Sequence, residues 1–294
     1  MGYTKRKLEE LNVMDDFLMN RLASDSEVGE DFCRVLLSTL LCRKVGRVRV
    51  TAQRTIPPME PDARGIRLDV SVEEVNYDRE KGEDVTMNVY DIEPHLRSRD
   101  DLPRHNRFYQ ALTDGRYLQS GEKDFSRLPD LYILMILDRD PFGYGQMVYS
   151  IRNRCEEVKE LEYEDGLRFC YFNIQGELGG NREIREMLRY LGDSRAENAV
   201  SEATQRLHGY TEQVKMRPEV RQSYMLWGEY VQELKEEGIE QGIRQSVLDV
   251  LEGYGKISEK LRKRLESEEN RETLRTWLRL AAQAGSMEEF ERKM

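Results

Sequence analysis

Val28, Phe32, Val35, Leu36 and Leu40 recur at helical spacing, and this apolar stripe predicts helix within Met14 to Cys42. Gly46 ends the pattern. Val48 and Val50 then alternate with Arg47 and Arg49, which predicts a first strand in VRVTAQR. Leu68, Val70 and Val72 alternate with Arg67, Asp69 and Ser71, again at period two, and predict a second. The chain between them carries Pro57, Pro58 and Pro61 and reads as an irregular connection. The polar stretch Asn76 to Asp84, with Gly82, reads as a hairpin turn, and VTMNVYDIEPH as the returning strand.

A helix is predicted from Leu102 or Pro103, because proline is tolerated in a first turn. Phe108, Leu112 and Tyr117 are expected toward the core, with Arg104, Arg107 and Gln110 along a polar side. LYILMIL, Leu131 to Leu137, is a continuous apolar run bounded by turn residues and predicts a fully buried strand, with Asp138 and Asp140 as turn acids at its end. Met147 to Ile151 and Leu167 to Asn173 are further strand candidates. Ile184, Met187, Leu188 and Leu191 mark a helix with Asn181 as its N-cap and Gly192 as its stop.

Beyond Ser194 strand patterns cease and charge density rises. Val214 to Leu234, with Tyr224, Met225, Trp227 and Tyr230, reads as an aromatic-faced helix. The next helix holds Gly238 and Gly242, a candidate flexible joint. Leu261, Leu265, Leu274, Trp277 and Leu278 are expected to form a small core, and Ser286 with Glu289 a capping box. The chain thus divides into an α/β (α+β) core, residues 1–195, and a helical extension, residues 196–294, a candidate for oligomerisation or DNA contact.

Charged residues make up 35% of the 294, and the net charge is -10. With a mean hydropathy of -0.75 and no apolar run near the roughly 20 residues that span a bilayer, a soluble, cytoplasmic chain without a membrane partner is expected. An acidic protein is repelled by DNA as a whole, so nucleic-acid contact requires a local basic surface. Arg43, Lys44, Arg47, Arg49 and Arg54 form one candidate; Lys260, Arg262, Lys263 and Arg264 form another. A solvated face explains either. Cys33, Cys42, Cys155 and Cys170 lack metal-ligand spacing and read as buried thiols. No GxxxxGK[ST] phosphate loop is present.

The candidate chemistry lies in the hairpin. Asp91, Glu93 and His95 share one strand face by alternation, and hairpin pairing brings Asp69 across from them. Buried carboxylates are costly unless they meet a cation. An all-oxygen cluster suits Mg2+ or Mn2+, with Asp69, Asp91 and Glu93 as candidate ligands. Solvated acids at a strand edge are the alternative. Asp15 and Asp16 ahead of Phe17 read as helix caps or as further acids facing this cluster.

Asp on one strand, Glu-x-His on the next and a following RHNRFYQ helix resemble the PD-(D/E)XK nuclease superfamily. Within it, GIRLDV, YDIEPH, RHNRFYQALTD, LQSGEKDFSRLPDLYILMILDRDPFG, YSIRNRCEE and FNIQGELGG resemble the Rpn-type recombination-promoting nucleases, in family order over most of Met14 to Leu191. The resemblance implies a restriction-endonuclease-like mixed central sheet flanked by helices, and a Mg2+- or Mn2+-dependent DNA endonuclease of recombination or mobile elements. It implies Asp69, Glu93 and His95 as catalytic residues and Arg104, Arg107 and Gln110 as substrate-binding residues. The family places Lys, or often Gln, where this chain has His95. Histidine donates a hydrogen bond or acts as a base near neutral pH. A nuclease fold without catalysis, serving DNA binding or assembly, is the second reading. Self-association through the C-terminal helices is compatible with both.

Overall fold

A computed structural model describes residues 6–56, 66–80, 82–95, 101–118, 123–268 and 270–294, leaving aside the side chains of His95 and of residues 227–237. The proline-rich connection and the Trp227 and Tyr230 surface lie outside that description.

The expected mixed α/β architecture is present: six strands form one sheet in the order β1-β2-β3-β4-β6-β5. Strands β1 (Val48–Ile56), β2 (Ile66–Asp78) and β3 (Glu83–His95) make an antiparallel meander. Strand β4 (Asp130–Leu137) runs parallel to β3, and β6 (Leu167–Asn173) parallel to β4; β5 (Val148–Ile151) closes the far side antiparallel to β6. β2 and β3 extend further than alternation alone predicted. Polar residues from Asn76 onward pair in register with Val85, Asp84 and Glu83, leaving a short turn at Gly82, whose φ of 69° suits glycine. Tertiary pairing therefore carries the strands past the end of their apolar pattern.

β4 is buried as its apolar run requires, with Ile133, Leu134, Met135 and Ile136 fully enclosed. The side chains of Val89, Leu131, Ile133, Met135, Leu137 and Tyr171 pack under helix α3 (Leu102–Asp114) through Leu102 and Tyr109. Phe108, expected inward, is 39% exposed; Asn106 and Thr113 share the buried side of α3 with Leu112 instead. Helix α1 (Asp16–Ala23) touches β1 and β2, and α2 (Gly29–Leu40) touches α1 and β1. Their close approach depends on Gly29: a Cβ there would fall 2.5 Å from the Ala23 carbonyl oxygen. Beyond α2, Arg43 lies over the rings of Tyr90 and Tyr132 and bonds the Tyr90 hydroxyl. It is joined there by Glu74, which accepts hydrogen bonds from Tyr90 Oη, Asn88 Nδ2 and the Gly46 N–H.

Asn181 caps α4 (Arg182–Gly192) by accepting the Ile184 N–H at 2.8 Å. Helix α5 (Glu202–Met216) packs on α1, α2 and α4, so the first compact unit runs to Arg221 and the second covers Gln222–Met294. The residue pattern placed the division at 195, where strand patterns end; α5 adds a helix layer to the first unit. Helix α6 (Pro218–Glu252) runs unbroken through Gly238 and Gly242. In the second unit Leu261 and Leu265 of α7 (Glu259–Glu266), Leu274 and Trp277 of α8 (Arg271–Gln283) and Phe290 of α9 (Met287–Lys293) form a separate core. Cys33 and Cys170 are buried as expected, whereas Cys42 is exposed and Cys155 only partly covered. Among the described residues no helix is long and apolar enough to cross a membrane.

Candidate active site

The pairing of β2 with β3 stops at Val70 opposite Ile92, while β3 keeps pairing with β4 as far as His95 opposite Leu137. At the point where the ladder ends, the Glu93 side chain takes the place of a backbone partner: its Oε1 accepts the Asp69 N–H at 3.0 Å. This bond fixes the Glu93 carboxylate beside Asp69. Asp91 lies two residues earlier on β3, opposite Ser71. The structure therefore brings the three sequence-predicted acids into one cluster where two strands part.

The cluster is buried and carries excess negative charge. Asp91 is fully enclosed and Glu93 is 4% exposed. Apart from Glu93, no described residue offers a hydrogen bond to either Asp91 oxygen. Asp91 is pushed up to about 8, first by burial and then by the charge of Asp69, against the opposing pull of Glu93 within hydrogen-bonding reach. Glu93 is held well above the usual carboxylate range, first by burial and then by the charges of Asp91 and Asp69. Asp69 is pushed up to about 6 by burial and by the charge of Asp16, with Arg67 opposing. Like charges in a low dielectric cannot all ionise, so without a cation Asp91 and Glu93 retain a proton between them at neutral pH.

Asp16 stands at the start of α1, and Asp15 occupies the N-cap position. The expected capping role is not filled there: Asp15 instead pairs with Arg6 and accepts the Asn12 N–H at 2.7 Å. Asp16 is electrostatically coupled to Asp69.

Among the described residues no group of three or more His, Cys, Asp and Glu side chains is gathered around a common ion position. Asp69, half-buried, and the enclosed Glu93 are joined through the Asp69 N–H, and Asp91 is enclosed on the same strand as Glu93. Such a pair fits Mg2+, which is commonly bound by one or two carboxylates with waters and substrate phosphates completing the shell. Buried carboxylates that repel one another are the hard, all-oxygen donor chemistry that such a cation takes.

The backbone of His95 ends β3 beside Leu137; its side chain lies outside the described residues. Arg104 and Arg107 are exposed on α3. Gln110 donates to Asp114 Oδ2 at 3.0 Å, which ties it to its own helix. Sequence reasoning missed two neighbours. Glu73, two positions along β2 from Ser71, accepts from Arg54 at 2.7 Å and from the Tyr117 hydroxyl at 2.8 Å, and Arg54 also donates to Ser71 at 3.2 Å. Asn106, enclosed on α3, donates to the Tyr171 hydroxyl at 3.2 Å. A polar residue on the inward stripe of α3 was the available signal for Asn106. Arg54 read only as part of a basic stretch, because its partner Glu73 is reached through strand pairing.

Comparison with protein-family models, curated proteins and solved structures yields no match to this chain.

Proposed function

We propose that the chain is a divalent-metal-dependent nuclease that hydrolyses phosphodiester bonds in DNA. The observation that carries this reading is the placement of Asp69 and Glu93 at the parting of β2 and β3, joined through the Asp69 N–H, with burial and mutual repulsion outweighing the pull of Arg67 on Asp69. Asp69 and Glu93 would hold Mg2+ or Mn2+. When bound, the ion supplies a nucleophile at neutral pH and positive charge for the phosphoryl oxygens. The chain's own contributions are distinct. The backbone N–H of Asp69 orients Glu93. Asp91 shares the proton that Glu93 releases on loading. Arg104 and Arg107, free to extend from α3, offer planar forks for phosphate. His95, at the end of β3, is assigned to the proton taken from the attacking water. The sequence resemblance to Rpn-type nucleases supports the same assignment and a role in recombination or mobile-element biology.

The test is plasmid cleavage with Mg2+ or Mn2+ by the parent and by Asp69→Ala and Glu93→Gln, together with calorimetric Mn2+ titration. Cleavage by the parent alone, with weaker Mn2+ binding in both variants, supports the assignment. Equal cleavage in all three removes it. Mn2+ binding without cleavage would favour the binding-module reading, for which His95 in place of Lys or Gln is the pertinent departure.

A further inference from the structure

The two basic stretches in the sequence have different fates in the fold. In the first, Arg43 faces Glu74, Arg47 and Arg49 both pair with Asp84, and Arg54 pairs with Glu73. Each of these four guanidiniums is held by one of three acids of the chain itself, and only Lys44 of this stretch has no ion pair among the described residues. In the second, Arg262 pairs with Glu252 at 3.0 Å and Arg264 lies over the Trp277 ring at 5.8 Å, whereas Lys260 and Lys263 are exposed and have no ion pair among the described residues.

Helix α8 extends this second surface. Arg271, Arg275 and Arg279 are four residues apart, on one stripe of the helix and about 6 Å apart along its axis. Arg275 pairs with Glu272 at 3.3 Å. Arg271 and Arg279 pair with no carboxylate among the described residues, and the Arg271 Nε is buried without a partner. α7 and α8 contribute to one core through Leu261, Leu265, Leu274 and Trp277, and Arg264 of α7 lies over the Trp277 ring of α8. Among the described residues no large hydrophobic side chain between Ser258 and Gln283 is strongly exposed, which leaves nothing to insert into a lipid surface.

We propose that the α7–α8 surface, through Lys260, Lys263, Arg271 and Arg279, docks the phosphate backbone of duplex DNA. Cations on rigid helices that have no carboxylate partner gain from counterion release without first breaking an internal ion pair. The stripe on α8 spans about 12 Å, the rise of three to four phosphates on one strand. The proposal rests on the nuclease reading only in taking DNA as the polyanion; it makes no use of the acidic cluster.

The experiment is fluorescence anisotropy of a fluorescein-labelled DNA duplex with the full chain in EDTA, between about 50 and 200 mM salt. Replacing Lys260, Lys263, Arg271 and Arg279 by Gln is expected to weaken binding at least tenfold at the lower salt. It should also reduce the slope of log K against log salt by about 0.9 for each phosphate that is no longer neutralised. Arg47→Gln with Arg49→Gln is expected to bind as the parent does. If circular dichroism shows the fourfold variant misfolded, Arg271→Gln with Arg279→Gln carries the same test with half the expected reduction in slope. An unchanged affinity and slope in the folded variant would overturn the proposal. So would a parent that binds phosphatidylserine vesicles but no duplex, or weakening confined to the Arg47 and Arg49 variant. The binding assay runs in EDTA and the cleavage assay with Mg2+ or Mn2+, so failure of cleavage and failure of docking are separately visible.

Discussion

Asp91 carries an uncompensated electrostatic cost. Neither of its oxygens has a donor other than Glu93 among the described residues, and its carboxyl keeps a proton to about pH 8. Asn at this position supplies an N–H to Glu93 and removes a buried charge. We expect Asp91→Asn to stabilise the metal-free protein at pH 8 by about 1–3 kcal/mol, read as a raised Tm, while weakening Mn2+ binding if Asp91 helps to tune the site. A lower Tm would show that the carboxylate is satisfied by a group outside the cluster. The same residues set the pH dependence. Unfolded aspartates release their protons near pH 4, whereas in the fold Asp69 holds its proton to about 6 and Asp91 to about 8. Over this window the folded chain carries more protons than the unfolded one, so the contribution of these groups to stability falls as pH rises. Thermal unfolding in EDTA should show this decline from pH 5 to 8.5, and Mn2+ should offset it most at the alkaline end. A Tm difference between parent and Asp91→Asn that stays constant across that range would contradict the raised proton affinity of Asp91.

Within the elements, β2 contributes more than Asp69. Its Glu73 is held by Arg54 from β1 and by Tyr117 from beyond α3, which ties the helix covering the acid face to the strand that carries the acid. Arg54→Ala leaves Glu73 with one donor and should cost about 1–3 kcal/mol; Tyr117→Phe should cost less, since the ion pair remains. Chemical denaturation of both variants would check the order, and a larger destabilisation by Tyr117→Phe would contradict it. These elements also show what the residue pattern could carry. Period two located β1, β2 and β3 and, with hairpin pairing, placed Asp69 beside Glu93. An uninterrupted apolar run identified β4. The inward side of α3 was misread at Phe108 because a helix with Asn106 and Thr113 among its buried residues does not display a clean apolar stripe. The termination of β2–β3 pairing, on which the geometry of the site depends, is marked in the sequence only by Pro94, which has no N–H for a ladder and suits a strand end; that the Glu93 side chain takes up the Asp69 N–H there was not legible.

At the level of the whole molecule, two compact units with separate cores predict two cooperative events. Leu265→Ala, in the core shared by α7, α8 and α9, should destabilise the second unit by about 2–5 kcal/mol and leave the transition of the first in place. Differential scanning calorimetry would resolve the two, and a single transition shifting as one would refute independent units. The division after Arg221 was not legible because α5, α6 and the later helices share one helical, charge-rich composition; only packing assigns α5 to the sheet-bearing unit. Self-association through the C-terminal helices, suggested by the sequence, is open to light scattering of the full chain.

The outermost strand of the sheet has a consequence for handling the protein. β1 borders β2 on one side only, departs from extended geometry at Gln53, where φ is 52°, and carries Arg47 and Arg49 held against Asp84 near its start. A kinked, charged rim is a poor template for the backbone of a second chain. Along this edge, one of two in the sheet, straightening the strand at Gln53 or discharging Arg47 and Arg49 is the change expected to favour pairing with another chain.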